Sequence, residues 1–263
     1  MDRREFIKKT SLLTAGFSML GIDKLFSQDG DSVNLKTPCI VYSIDKSSGK
    51  SKKGNSLQIT NQGHFVSADH IFFEGKEDSY KNVMYDPING NMFDIDILKR
   101  DSNLDLMLGK VEIPKGYSQR SLRVESAADY YLVGYESTRE QDNIVKKMVE
   151  NGIKDMKSDL LPYVYKGFLA SQITHKGKNI LTEKQDGFYT SDNIRPGFSG
   201  SPVYNNAGIL AGIATNHSPN LNSAERMHGN GKSSNLDIES HQAIICSNFD
   251  AVREFVTSYR PGN

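Results

Sequence analysis

The sequence predicts an all-β protein, a barrel or a sandwich, on three observations. Short apolar or alternating runs follow one another closely. They are rich in Val, Ile, Tyr and Phe. Gly, Asn, Asp and Ser separate them. The regular exchange of strand and helix that marks a parallel sheet does not appear, nor does any repeat of fixed period. With 263 residues, twelve Phe and twelve Tyr, the chain has room for one large domain or two modest ones around a sizeable core.

Taken in order, the first element is an address. Arg3, Arg4, Lys8 and Lys9 lead into an apolar stretch over about residues 11–22. A bilayer of roughly 30 Å needs a longer helix, whereas this length suits the apolar part of a secretory signal. Arg3-Arg4-x-Phe6-Ile7-Lys8 also resembles the twin-arginine export signature. Residues 1–30 are therefore set apart as a signal, and residues 31–263 are expected to be the exported domain, periplasmic or secreted. An amphipathic helix packed on the domain is the alternative. No stable membrane association is expected beyond an N-terminal segment left uncleaved.

The strand signals follow at 38–44, 56–60, 64–68, 70–73, 92–98, 104–111, 122–124 and 130–135, then at 163–174, 178–182, 187–190, 201–204, 209–215 and 243–247. Two stretches break the pattern with helical spacing. Ser137 and Glu140 have capping-box spacing, and Ile144, Val145, Met148, Val149, Ile153 and Met156 recur at helical intervals beyond them. Residues 137–161 are thus a helical insertion, either a cap near a cleft or a helix patched onto the barrel. A second helix is predicted over 248–259, with Asn248 as its cap and Phe249, Val252, Phe255 and Val256 on one face. Residues 217–242, polar and rich in Asn, Ser and Gly, read as a long surface loop.

Composition removes several classes of function. Lys+Arg and Asp+Glu balance at 32 each, so no nucleic-acid partner is expected. Two cysteines cannot build a disulfide scaffold or a four-thiolate metal site. Cys39 and Cys246 both sit in strand-like runs, and two buried free thiols are preferred over a pair. His228 and His241 lack metal-ligand spacing, and neither a metal nor a cofactor is expected.

The chemistry concentrates in three segments. Gly197-Phe198-Ser199-Gly200-Ser201-Pro202 places a serine between two glycines on a turn. Glycine at 197 permits successive N–H groups to point one way, as an oxyanion site requires, and glycine at 200 leaves room for a substrate carbonyl. His70 closes the run His64-Phe-Val-Ser-Ala-Asp-His70, and Asp105 stands at the mouth of an apolar strand. A serine hydroxyl becomes a nucleophile when an imidazole takes its proton, and the imidazole needs a carboxylate to hold its tautomer.

The chain order His70, Asp105, Ser199 is that of the chymotrypsin-type enzymes. From about residue 38 to 259 the sequence resembles a trypsin-like serine protease, closest in flavour to bacterial HtrA-type and glutamyl-endopeptidase-type members. Val66-Ser-Ala-Asp-His70 resembles the family's histidine motif, Leu104-Asp105-Leu-Met-Leu its acid motif and residues 197–202 its serine motif. Gly208-Ile-Leu-Ala-Gly-Ile213 resembles the strand that follows. The resemblance implies two six-stranded antiparallel barrels with the site between them, a C-terminal helix and an exported endopeptidase acting on protein or peptide. It implies Ser199 as nucleophile, His70 as general base and Asp105 as orienting carboxylate. The N–H groups of Gly197 and Ser199 would form the oxyanion hole.

By position in the family, Asn193 would lie at the base of the primary pocket, with Thr215, Asn216 and His217 along its wall. Phe198 departs from the family's usual acid or Asn, and Asp69 places an extra carboxylate beside His70. These two residues keep a second reading in view, a protease-like binding protein without turnover. An esterase on the same fold is a third.

Overall fold

The computed structural model describes residues 32–259, except 76, 118, 157, 172–173, 176–177, 193, 195 and 216–241. The signal expected at 1–30 and most of the loop expected at 217–242 thus lie outside the described residues. The strands are β1 (Ser32–Lys36), β2 (Cys39–Asp45), β3 (Ser51–Gln58), β4 (His64–Ala68), β5 (Tyr80–Asp86), β6 (Asn91–Asp101), β7 (Leu106–Val111) and β8 (Ser121–Glu125). Then come β9 (Tyr130–Gly134), helix α1 (Arg139–Asn151), β10 (Tyr163–Ala170), β11 (Thr174–His175), β12 (Lys178–Asn179) and β13 (Gln185–Thr190). The chain closes with β14 (Pro202–Asn205), β15 (Leu210–Ala214), β16 (Gln242–Asn248) and α2 (Phe249–Thr257).

Strands β2–β7 close into one barrel in the order β2-β3-β4-β7-β6-β5, and β10-β13-β16-β15-β14-β9 close into a second. All pairings are antiparallel, so the all-β expectation and the two six-stranded barrels hold. β1 and β8 form a separate ribbon, and β11 and β12 a short hairpin.

The apolar runs read continuously where both faces of a strand are covered. In β2, Cys39 and Val41 point into the first barrel with Phe65, Met84 and Met107. Ile40 and Tyr42 point out, against Val145 and Met148 of α1. The second barrel is filled by Leu132, Tyr165, Phe188, Phe198 and Cys246. Between the barrels lies a shared core in which Leu57, Val66, Leu106 and Leu108 meet Tyr131, Val133, Tyr204, Ile213 and Phe255. Cys39 and Cys246 are buried and free, one in each barrel.

Several sequence expectations need correction. The strand expected at 70–73 is a single 3₁₀ turn, Asp69–Ile71, because Asp69 closes a turn back to Phe72 N–H at 3.0 Å. The long run 163–174 is divided, β10 ending at Ala170. β1 and β5 carry too many polar residues to stand out as strands, yet β5 pairs with both β2 and β6. The capping box of α1 sits one residue later than the Ser137–Glu140 spacing suggests. Thr138 Oγ1 accepts from Gln141 N–H, and Gln141 Oε1 accepts from Thr138 N–H, both at 3.2 Å. Gly152, at φ 64°, stops the helix before Ile153. The insertion helix is patched onto the outside of the first barrel, while its lead-in touches the loop that carries Ser199. Asn248 caps α2 through Ala251 N–H at 3.0 Å.

Candidate active site

His70 and Asp105 stand at the ends of first-barrel strands, and Ser199 on the second-barrel loop before β14. The fold brings the three together. Asp105 is 2% exposed and adopts a left-handed backbone at φ 52°, which Asp tolerates better than most residues. That geometry turns its carboxylate back onto the 3₁₀ turn. Oδ1 accepts from His70 N–H at 2.8 Å, Oδ2 from the His70 ring Nδ1 at 2.7 Å, and its carbonyl from Asp69 N–H at 3.1 Å. A carboxylate only accepts, so the ring proton sits on Nδ1 and the Nε2 lone pair faces outward. Ser199 Oγ lies 3.0 Å from that Nε2 and donates its proton there.

The second-barrel loop is held by its carbonyls. Ser137 N–H donates to Pro196 C=O at 2.9 Å. Peptide units are planar and trans, so the Gly197 N–H points to the opposite side, away from Ser137. Gly197 sits at φ 112°, where a side chain is strained, and a Cβ there would stand 2.6 Å from Ser137 N. Asn55 N–H of β3 donates to Ser199 C=O at 2.7 Å, and Gly200 N–H donates to Ala214 C=O at 2.6 Å. Gly200, at φ 81°, passes so close to β3 that a Cβ would lie 1.9 Å from the Asn55 carbonyl oxygen. The N–H groups of Gly197 and Ser199 donate to no partner among the described residues. An imidazole-linked hydroxyl beside two unpaired N–H groups can attack a carbonyl carbon and receive the charge that develops on its oxygen.

The two departures from the family pattern have physical places. Asp69 pairs its carboxylate with Arg100 of β6, whose Nε donates to Asp69 Oδ1 at 2.5 Å. The same guanidinium donates to the carbonyls of Asp69, Phe72 and Phe73. Phe198 is buried at 3% exposure, its ring edge-on to Tyr165 at 5.1 Å. An apolar anchor thus seats the loop where the resemblance led one to expect a polar residue. Thr215 is fully buried, its N–H and hydroxyl both donating to Ile245 C=O. Asn193, Asn216 and His217 lie outside the described residues. Among the described residues no group of acids, His or Cys is arranged to hold a metal. The site contacts of Arg100 and Ser137 escape sequence reasoning because their partners, a carboxylate and carbonyls distant in the chain, leave no motif.

Residues 54–213 match the model of the trypsin-like peptidase domain. The chain belongs to that family. No curated protein sequence matches it. Among solved structures it is similar to the HtrA-type protease AlgW with a tripeptide, at 16% identity and a TM-score of 0.49, over 85% of this chain and 60% of that one. It is also similar to a serine endoprotease from Yersinia pestis, at 14% identity and a TM-score of 0.48, over 85% of this chain and 63% of that one. The chain therefore spans about 60% of the length of the structures it matches.

Proposed function

We propose that the protein is an exported serine endopeptidase working through Ser199, His70 and Asp105. The observation that carries this reading is the His70 ring, joined to Asp105 at Nδ1 and to Ser199 at Nε2 across the seam between the barrels. Ser199 Oγ attacks the scissile carbonyl carbon while its proton passes to Nε2. The developing oxyanion meets the N–H groups of Gly197 and Ser199. Collapse breaks the C–N bond, and His70 returns the proton to the departing amine. Water, deprotonated by the same nitrogen, then cleaves the acyl-Ser199 ester and restores the hydroxyl. Asp105 holds the tautomer and stabilises the imidazolium formed in each half.

Two observations favour turnover over the turnover-free reading: Arg100 pairs with Asp69, and Phe198 packs into the core of the second barrel. Export rests on Arg3, Arg4 and the apolar segment behind them. Replacing both arginines by lysine is expected to leave the protein in the cytoplasm on cell fractionation.

The test is labelling of the purified protein with a fluorophosphonate probe beside Ser199→Ala and His70→Ala. Labelling of the parent, lost in Ser199→Ala and strongly reduced in His70→Ala, is expected. A folded parent that does not label overturns the reading. Comparing peptide with simple ester substrates then separates peptidase from esterase.

A further inference from the structure

Asn55 is 1% exposed, and every polar atom it owns is engaged. Its N–H reaches Ser199 C=O at 2.7 Å, and its C=O accepts from Ser67 Oγ at 2.6 Å. The side chain does more. Oδ1 accepts from Tyr135 N–H at 2.8 Å, while Nδ2 donates to Gly197 C=O at 2.7 Å and to Tyr135 C=O at 3.2 Å. One N–H and two carbonyls as partners fix which end of the carboxamide is oxygen. A single side chain of the first barrel thus ties down the end of β9 and the loop of Ser199, 80 and 142 residues away in sequence.

Four consecutive peptide units run from Pro196 to Gly200, and the direction of each is set by its carbonyl. Pro196 C=O is held by Ser137 N–H, Gly197 C=O by Asn55 Nδ2, Phe198 C=O by Ser201 N–H at 3.0 Å and Ser199 C=O by Asn55 N–H. Asn55 supplies two of these four restraints. Because each unit is planar, the N–H groups at 197 and 199 lie opposite the Pro196 and Phe198 carbonyls, and Asn55 holds the two units that alternate with these, so it fixes how the two N–H groups stand relative to each other. With the Gly197 carbonyl released, the 197–198 unit, which links the two donor-bearing units, is free to turn about the glycine at φ 112°, and the N–H groups at 197 and 199 would lose their common aim.

We propose that the Asn55 carboxamide is the positioning residue of the oxyanion site. It acts through Gly197 and Tyr135 and touches no substrate. The proposal rests on Ser199 being the nucleophile, and no motif of the sequence points to it. It predicts a specific chemical rescue. An aspartate at 55 has the same shape. Ionised, it faces two carbonyls with negative charge. Protonated, it offers one O–H to Gly197 C=O and one oxygen to Tyr135 N–H, and burial favours that protonated form.

The experiment measures the rate of fluorophosphonate labelling for the full chain, Ser199→Ala, Asn55→Leu and Asn55→Asp. Asn55→Leu is expected to label roughly 10²- to 10³-fold more slowly, the loss typical of removing one oxyanion donor. The His70 ring signal in NMR should titrate in Asn55→Leu as in the parent, because the His70–Asp105 pair is untouched. For Asn55→Asp, the rate relative to the parent at the same pH should recover as pH falls from about 8 to about 5.5. Taking the ratio cancels the protonation of His70 itself. A parent that fails to label overturns the proposed function together with this proposal. A parent that labels while both Asn55 variants keep its rate overturns the role of Asn55 alone. So does an Asn55→Asp ratio that stays low and flat with pH in a folded protein, which keeps the proposal falsifiable even where Asn55→Leu does not fold.

Discussion

The two barrels have the same strand count and the same antiparallel pairing, yet they give the cleft unlike things. The first contributes side chains at strand ends, His70 and Asp105, seated from behind by Arg100. The second contributes the Ser199 hydroxyl on a stretch of backbone, residues 196–200, whose direction is set largely by groups of the first barrel and of the lead-in to α1. One barrel is therefore the chemist and the mould, and the other is the cast. Side-chain chemistry needs a rigid floor, whereas backbone donors need their carbonyls held, and the seam between two barrels supplies both.

The comparison breaks most visibly at Asp105. Asp105→Asn puts a carboxamide against the His70 ring, favours the wrong tautomer and should slow labelling by about 10⁴-fold with the fold intact. A loss below tenfold would mean that the first barrel does not orient the imidazole. Arg100→Met should cost about 3 kcal/mol in urea unfolding, since it strands the nearly buried Asp69 carboxylate. The sign of its second effect follows from charge. An unneutralised carboxylate beside His70 favours the imidazolium, so the acidic limb of the pH–rate profile moves to higher pH. An unmoved limb would show that Asp69 never faces the ring.

On the side of the cast, Gly200→Ala forces the loop away from the Asn55 carbonyl. A displacement of that order should lower the labelling rate by about 10²-fold or more. Circular dichroism should show both barrels still folded. The smallest effects come from the helix caps. Asn248→Ala and Thr138→Ala should each cost about 1 kcal/mol of stability. Only Thr138→Ala is expected to slow labelling as well, because it borders Ser137, which holds Pro196. Equal labelling rates in the two variants would detach α1 from the site.

The parts of this site that could be read in the sequence are those that act by side-chain identity. His70 ends an apolar run, Asp105 opens one and Ser199 sits between two glycines on a turn, so each is marked locally, and the structure places the His70 ring within hydrogen-bonding distance of both others. Asn55 and Ser137 lie in polar stretches and act on carbonyls distant in sequence, so nothing local marks Asn55, and Ser137 draws notice only as a helix-cap candidate. The same contrast holds for the strands. β2, covered on both faces, announces itself as an apolar run, whereas β5 begins Tyr80-Lys81-Asn82 and is recognised only by its two partners. Residues 70–73 misled for the opposite reason, because Ile71 and Phe72 are buried by a 3₁₀ turn and not by a strand.

Cys39 and Cys246 lend themselves to a different use. Each is buried in its own barrel, and loss of water pushes both thiols well above their ordinary range, making them inert while the barrels stay shut. They form a pair of independent clocks. Trapping kinetics with a thiol reagent, followed by mass spectrometry of the two peptides, would time the opening of each barrel separately. The protein carries its own reporters of whether its halves breathe together or one at a time.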